Sequence, residues 1–500
     1  MRIKITLTVL LYTLACTVVP AQEPEDIPVG IHQAESEYYA SVFDSVSPAG
    51  NVSVEMPAVL KSRTTNDLTH MVYGWHPYWA GSSAYLSYDY EALTHIAYFS
   101  YEVDTATGGF TTLRGWDTTP VIDYAHQRGV KVTLTVTNFG TLGNTAILAD
   151  TVKQWHLIHT LINQLRARNG DGVNFDFESV PETMKENMVS FCKRAVRGIK
   201  AELPGAEISL ATPAVNWSGR ADLKSLAEIC DYIIMMGYNY YWSGSTIAGP
   251  VAPLEGDTYD VTQSIDEEYL GVGVPPDKLL LGVPWYGYDW PVESSVRKAA
   301  ATGKGTSRTY NSAELLADTY GKTFDDVVKV PWVSYFSSGE WRQLWYDDSL
   351  SLALKYELAK NRGLAGIGIW ALSYEAGRDE IWNGIKKAFS TGGSTAIETV
   401  DGTTNILTDR PAVSEIIKIT PNPVSEETVI GYCISERCHA TLRIYDTGGR
   451  LVASLVDRIT DAGFYDEPIK YETLASGTYI CVLQTPSDRS SLKFAVIKDR

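Results

Sequence analysis

An α/β chain organised as a (β/α)8 TIM barrel, with a small insertion between strands 7 and 8 and a C-terminal antiparallel β-sandwich, is the fold class this sequence predicts. Three observations carry that expectation. Between residues 69 and 390, eight short apolar or β-branched runs alternate with helical stretches, the order that builds a parallel sheet with helices outside it. One of those runs, DGVNFDFE at 171–178, puts Gly172, Asn174, Asp176 and Glu178 on one face and Val173, Phe175 and Phe177 on the other. Beyond residue 414 the pattern changes to alternating strands around Gly-rich turns, as in TLRIYDTGGRLVASL and SGTYICVLQ.

Taken in order, the first residues carry a basic start, an apolar stretch and a small-residue exit around Val19, Pro20 and Ala21. This reads as a secretory signal over 1–21, cleaved near Ala21. Residues 22–68 form an acidic N-terminal extension with a helical pattern at HQAESEYYASVF, to which no function attaches from sequence. The barrel strands are MVYGWHPYW, THIAYFSY, VKVTLTVTN, GVNFDFE, EISLATPAV, YIIMMGYNYY, LLLGVPWYGY and AGIGIWALSY. Helices such as TVKQWHLIHTLINQLRARN and ENMVSFCKRAVRGIKAEL separate them. The long interval from Pro291 to Trp345 reads as the insertion, its aromatic-rich end walling one side of a cleft. A Thr- and Gly-rich linker covers 391–413, and the sandwich 414–500.

Composition narrows the function. A formal charge of -18 argues against nucleic acid as a partner. The 13 Trp and 30 Tyr favour a ligand that stacks on aromatic faces, such as a sugar polymer. Beyond the leader, Cys192, Cys230, Cys433, Cys438 and Cys481 make an odd set at irregular spacing, which is not a disulfide framework. Cys433 and Cys438 could pair across a short turn, while Cys192 and Cys230 read as buried small hydrophobes. No segment after the leader is long and apolar enough to span a bilayer.

The chemistry lies in DGVNFDFE. A parallel strand covered by helices should be apolar on both faces, so a row of Asn, Asp and Glu needs partners or a reaction to justify it. In a barrel the reactive groups gather at the C-terminal strand ends, where Asp176 and Glu178 stand. Two carboxylates that serve as acid and nucleophile must approach a sugar from opposite sides, and these two approach from one side. Glu178 therefore suits protonation of a glycosidic oxygen, with Asp176 orienting a group of the substrate and raising the Glu178 pKa by like charge. The nucleophile would be the substrate's own 2-acetamido oxygen.

At this point residues 70–390 resemble glycoside hydrolase family 18, the chitinase and endo-N-acetylglucosaminidase family. DGVNFDFE looks like the family's DGxDxDxE strand, MMGYN like its M-x-Y-D, GVPWYG like its G-x-P-x-Y-G, and GIGIWALSY like its last strand with a Trp. The resemblance implies hydrolysis of β-1,4 bonds next to N-acetylglucosamine in chitin, chitooligosaccharides or peptidoglycan by a substrate-assisted retaining mechanism. Glu178 would be the acid and then the base, Asp176 the acetamido-orienting residue, Tyr238 a hydroxyl donor to the acetamido oxygen, and Trp370 the floor under the sugar. Asn174 joins the catalytic set. Met236, Asn239, Asp171, Trp75, Tyr98 and Tyr286 are the further candidates for contacting substrate. Trp79, Trp242, Trp285 and Trp290 are looser candidates for the cleft, with core packing the competing reading for each.

The chain departs from the family pattern at four places. Asn174 stands where most chitinases have the middle Asp, Asn239 replaces the Asp after the catalytic Tyr, Tyr288 follows WYG where an Arg is common, and TLTVTNFG lacks a Gly-Gly pair. The DGVNxDxE form looks like the branch with spore-cortex peptidoglycan hydrolases and chitobiase-like enzymes, and an Asn can still hydrogen-bond Asp176. The alternatives from other classes are a catalytically weak or inactive surface lectin for N-acetylglucosamine glycans, and an adhesin that has lost sugar recognition. His156 and His159 have metal-like spacing, but no Cys or carboxylate completes a set, so neither a metal nor a cofactor is expected.

ITPNPV, LRIYDTGGRLV and LASGTYICVL, in that order before a basic end at Lys498 and Arg500, resemble the C-terminal sorting domain of the type IX secretion system. A generic β-sandwich carbohydrate module is the competing reading. The resemblance implies the type IX machinery as a partner and export across the inner and outer membranes, to the cell surface or beyond. The expected sugar-binding unit is a monomer.

Overall fold

The computed structural model describes residues 29–43, 68–391 and most of 414–498. The leader at 1–21 and the linker at 392–413 lie outside the described residues. The strands are β1 (Met71–Pro77), β2 (His95–Val103), β3 (Phe110–Thr112), β4 (Lys131–Phe139), β5 (Gly172–Glu178), β6 (Glu207–Pro213), β7 (Tyr232–Met236) and β8 (Leu279–Pro284). The insertion holds β9 (Tyr286–Val292), β10 (Thr306–Thr309), β11 (Thr323–Asp325), β12 (Val330–Ser337) and β13 (Glu340–Tyr346), and β14 (Gly366–Trp370) completes the barrel. The parallel strands run in the order β1-β14-β8-β7-β6-β5-β4-β2, and a β1–β2 pairing closes the ring. All eight expected strands form it. The short β3 adds an antiparallel edge to β2.

The helices are α1 (Ile31–Phe43), α2 (Val121–His126), α3 (Thr141–Leu148), α4 (Thr151–Arg168) and α5 (Lys185–Glu202), with later ones at Leu223–Ile229, Tyr310–Tyr320, Ser349–Asn361 and Asp379–Phe389. Helix α4 starts where the Asp150 carboxylate accepts the Val152 and Lys153 N–H groups and stops at Asn169, whose backbone is left-handed. Helix α5 buries Met188, Phe191, Cys192, Ala195 and Ile199, a stripe at helical spacing. That stripe meets the outward face of β5, with Phe175 and Phe177 at 5.1 and 5.5 Å from the Phe191 ring. Each such buried Phe stabilises by roughly 1.5–3 kcal/mol relative to exposure. With that face fixed against α5, the pleat turns Asn174, Asp176 and Glu178 into the barrel.

The insertion begins earlier than the sequence pattern suggests. The run LLLGVPWYGY is not one barrel strand: β8 ends at Pro284, and β9 leaves the barrel at Tyr286 to pair antiparallel with β10 and β13. The switch occurs at Trp285, whose N–H bonds the Trp370 carbonyl at 2.7 Å while its own carbonyl takes the Tyr310 N–H at 2.8 Å. A five-stranded sheet β10-β9-β13-β12-β11 results. Its centre is Asp289, fully buried and held by Arg308, Arg342 and the Tyr335 hydroxyl.

At the C-terminus, Glu415–Thr420, Val429–Ile434 and Gly463–Pro468 form one antiparallel sheet, and Cys438–Asp446, Leu451–Thr460, Gly477–Gln484 and Arg489–Val496 form another. Ile430, Tyr432, Leu442, Ile444, Leu483 and Phe494 share a core of their own between them. Among the described residues no helix is long and apolar enough to cross a membrane.

Candidate active site

Asp176 and Glu178 lie at the C-terminal end of β5, 0 and 8% exposed, where the barrel opens. Next to them, Tyr238 follows β7 and Trp370 ends β14; both are buried. Asp176, Glu178, Tyr238 and Trp370 therefore meet at one place, although nearly 200 residues separate the first from the last. Among the described residues, Asp176 Oδ1 and Glu178 Oε1 are buried with no hydrogen-bond partner. A buried carboxylate oxygen left without a donor is costly, and it marks a place reserved for a proton or a ligand. The Glu178 carboxyl is pushed well above the usual carboxylate range, first by burial and then by the charge of Asp176. Of these two causes only the second is visible in the sequence. Burial also raises the Tyr238 hydroxyl, which stays a donor.

An element that sequence reasoning left without a role reaches this point. Helix α1 forms where the pattern suggested, and its first turn sits in the barrel mouth. The fully buried His32 places Nδ1 2.8 Å from Asp176 Oδ2 and Nε2 2.8 Å from the Tyr238 hydroxyl. In the neutral imidazole that donates from Nδ1 to the carboxylate, Nε2 accepts from the hydroxyl. The His32 ring stacks on Trp370 with centroids 3.7 Å apart. One turn on, Glu35 Oε2 accepts from Trp370 Nε1 at 2.9 Å and from the Tyr374 hydroxyl at 2.6 Å, and Oε1 accepts from Ser307 Oγ at 3.2 Å. The backbone N–H of Gln33 faces the Glu178 carboxylate and favours its charged form. Donor atoms of His32, Asp176 and Glu178 lie within 4.8 Å of one another, and both imidazole nitrogens are committed to hydrogen bonds.

The other expected residues divide. Asn174 does not serve Asp176: its Oδ1 accepts from Trp75 Nε1 at 3.1 Å and its Nδ2 donates to Ser209 Oγ at 2.9 Å, so it ties β5 to β1 and β6 beneath the site. Trp75 is thus buried flooring, 5.3 Å from the His32 ring. Tyr286 lies at the site, donating to Asn239 Oδ1 at 2.6 Å. Met236, Tyr238 and Asn239 line a cleft of about 430 Å³ with Glu178, Trp217, Trp242 and Tyr259, and Val29, Gly30 and Ile31 close one side of it.

Two further expectations fail. Asp171 is at the opposite end of β5 from Glu178, where its carboxylate holds His126 Nε2 at 2.7 Å and the Val132 N–H at 2.6 Å. It secures the closed end of the barrel. Tyr98 points outward, bonding the Arg114 carbonyl at 2.7 Å and packing on Trp116. Its neighbour Phe99 faces the site instead, 5.1 Å from Trp370 and 6.0 Å from His32. Of the looser candidates, Trp79 stacks on Tyr39 of α1, whereas Trp285 packs on Trp382 and Trp290 on Tyr288 in buried positions. His156 bonds the Thr107 carbonyl and His159 stacks on Trp155, away from the mouth.

The family model described as glycosyl hydrolases family 18 matches residues 69–375, and the one described as a secretion system C-terminal sorting domain matches 418–498. The chain is 26% identical over 323 residues to the di-N-acetylchitobiase of Mus musculus, covering 58% of this chain and 79% of that one. To the cortical fragment-lytic enzyme of Bacillus anthracis it is 27% identical over 299 residues, covering 56% and 65%. A chitinase from Cycas revoluta in complex with (GlcNAc)3 superposes with a TM-score of 0.57 at 19% identity, covering 64% of this chain and 99% of that one. The spore cortex-lytic enzyme of Bacillus cereus gives 0.56 at 21% identity, covering 64% and 74%. At such identities the two structures speak for the fold alone.

Proposed function

The chain belongs to glycosyl hydrolases family 18, and on that footing we propose that it cleaves β-1,4 bonds next to N-acetylglucosamine by a retaining, substrate-assisted mechanism. The observation that carries this reading is the side-by-side burial of Asp176 and Glu178 on one strand face, with Tyr238 and the Trp370 indole beside them. Glu178, kept protonated by burial and by Asp176, gives its proton to the glycosidic oxygen as the bond to C1 breaks. The acetamido oxygen closes on C1 in the same step, so no protein nucleophile is needed. Asp176 holds the acetamido N–H and offsets the developing positive charge, while the Tyr238 hydroxyl donates to the acetamido oxygen. Glu178, now ionised, takes a proton from water as that water attacks C1, which reopens the ring and regenerates the carboxyl. Two displacements at C1 leave the β configuration. Trp370 supplies the face on which the reacting sugar stacks.

The substrate class follows from the acetamido requirement and spans chitin, chitooligosaccharides, peptidoglycan and N-glycan cores. The relatives' names divide along the same line, one a chitobiase and one a cortical fragment-lytic enzyme. The C-terminal sorting domain supports export by type IX secretion to the cell surface or the medium.

The test is digestion of chitotetraose, purified peptidoglycan and an N-linked glycopeptide, with products identified by mass and anomeric form. A β-anomer is expected from at least one. Glu178→Gln, which removes the proton but keeps the shape, is expected to lower kcat by at least about 10²-fold with binding intact. Unchanged turnover in that variant would refute the assignment, and binding without product from any substrate would make the protein a lectin.

A further inference from the structure

We infer that helix α1 is a built-in plug, docked in the sugar site as a mimic of the acetamido group, and that it must leave before substrate binds. This rests on the proposed function, since the groups it occupies are those assigned to the sugar.

The mimicry is chemical. An acetamido group offers a donor nitrogen and an acceptor oxygen on one carbon; an imidazole offers a donor and an acceptor nitrogen on one carbon. His32 presents that pair to Asp176 Oδ2 and to the Tyr238 hydroxyl, both at 2.8 Å, and lays its ring on Trp370 at 3.7 Å. A sugar ring needs the same indole and the same two polar groups, so helix and sugar exclude each other. The reacting acid is taken too. The Gln33 N–H faces Glu178 and the positive end of α1 points at the two carboxylates, where the helix dipole favours negative charge.

The docked turn is built for close approach. A Cβ added at Gly30 would lie 1.6 Å from Glu178 Oε2, so any side chain here must displace either the carboxylate or the docked turn. Glu35 and Tyr39 continue the contact along Trp370, Tyr374 and Trp79. Yet α1 contributes no strand to the barrel, which closes through β1 and β2 without it. Its departure leaves the scaffold whole.

Gly30→Leu in the full chain tests the plug without changing a barrel residue. Backbone exchange of α1 and turnover of chitotetraose are measured in wild type and variant. The expected result is protected α1 amides in the wild type, faster exchange in the variant, and a rise in kcat/KM of at least about tenfold. His32→Phe, which keeps the stack and loses both hydrogen bonds, should move both readouts in the same direction by less. Unprotected α1 amides in the wild type, or equal kcat/KM in an active pair, would overturn the plug while leaving the hydrolase intact. Where neither form turns over, Kd for chitotetraose decides: tighter binding by the variant upholds the plug and rejects the hydrolytic reading, and equal Kd rejects the plug.

Discussion

Glu35 has two surroundings, one docked and one in water, and its proton distinguishes them. Docked, its carboxyl is raised to about 7 by burial, against the opposing hydrogen bonds from Tyr374, Trp370 and Ser307. The titratable groups facing it are Tyr39 from its own helix, Tyr238 and Tyr374 from the barrel, and Tyr286 and Tyr288 from β9 of the insertion, with His32 one turn before it. A released α1 returns the carboxyl to its ordinary value of 4.5, so the docked state is the tighter proton binder. Docking is then at full strength below that value and weakens as pH rises through about 7. Exchange of α1, corrected for intrinsic rates, should be faster at about pH 8.5 than at about pH 5.5, and Glu35→Gln should flatten the difference. Asn174 makes the other residue-scale prediction: Asn174→Leu strands Trp75 Nε1 inside the barrel and leaves Ser209 Oγ only the Tyr73 hydroxyl at 3.4 Å, at about 1–3 kcal/mol for the stranded indole N–H, read as a lower midpoint in denaturant. The positions of Asp176 and Glu178 were legible because polar residues on an apolar strand declare which face is special, whereas Tyr238 and Trp370 were named through the resemblance of MMGYN and GIGIWALSY to the family's strands. Tyr98 was misplaced for the opposite reason. In HIAYFSY both faces are apolar, so alternation carries no inside or outside phase, and Phe99 took the site. His32 and Glu35 gave no local signal, since their partners lie 144 to 339 residues away.

Strands and helices were easier to read than the joints between them. The β5 pleat and the α5 stripe agree, which is why the strand carrying Glu178 was placed correctly from its own residues. The insertion boundary was not, because Pro284, Trp285 and Tyr286 continue an apolar run while the backbone changes partners from parallel β14 to antiparallel β13. The far joint of the insertion depends on a buried ion pair, Asp347 just after β13 with Lys355 on the helix Ser349–Asn361, both fully buried. Removing one partner leaves the other charge without compensation. Lys355→Ala should therefore cost about 3–5 kcal/mol, whereas the double replacement Asp347→Leu with Lys355→Met should cost far less, and a denaturant series on the variants checks the difference.

On the scale of the whole chain, the barrel and the C-terminal sheets have separate cores with no residue in common. Calorimetry should resolve two transitions, and removal of 414–500 should abolish one and leave the temperature of the other unchanged. A single transition would mean the cores melt as one. The division was visible beforehand as a change from helix-strand alternation to Gly-punctuated strands, whereas the seating of α1 was not, because composition describes a segment and not its destination. That seating has a consequence in concentration. Residues 44–67 join α1 to the barrel, so its docking is unimolecular, and a short tether supplies about millimolar local ligand. An intrinsic Kd of about 10 µM would then keep the mouth about 99% filled. Dilution does not relieve such occupancy as it relieves inhibition by product, and a short oligosaccharide competes poorly with it. A polymer that engages many subsites at once competes well, so the helix sets a threshold of chain length as much as a switch.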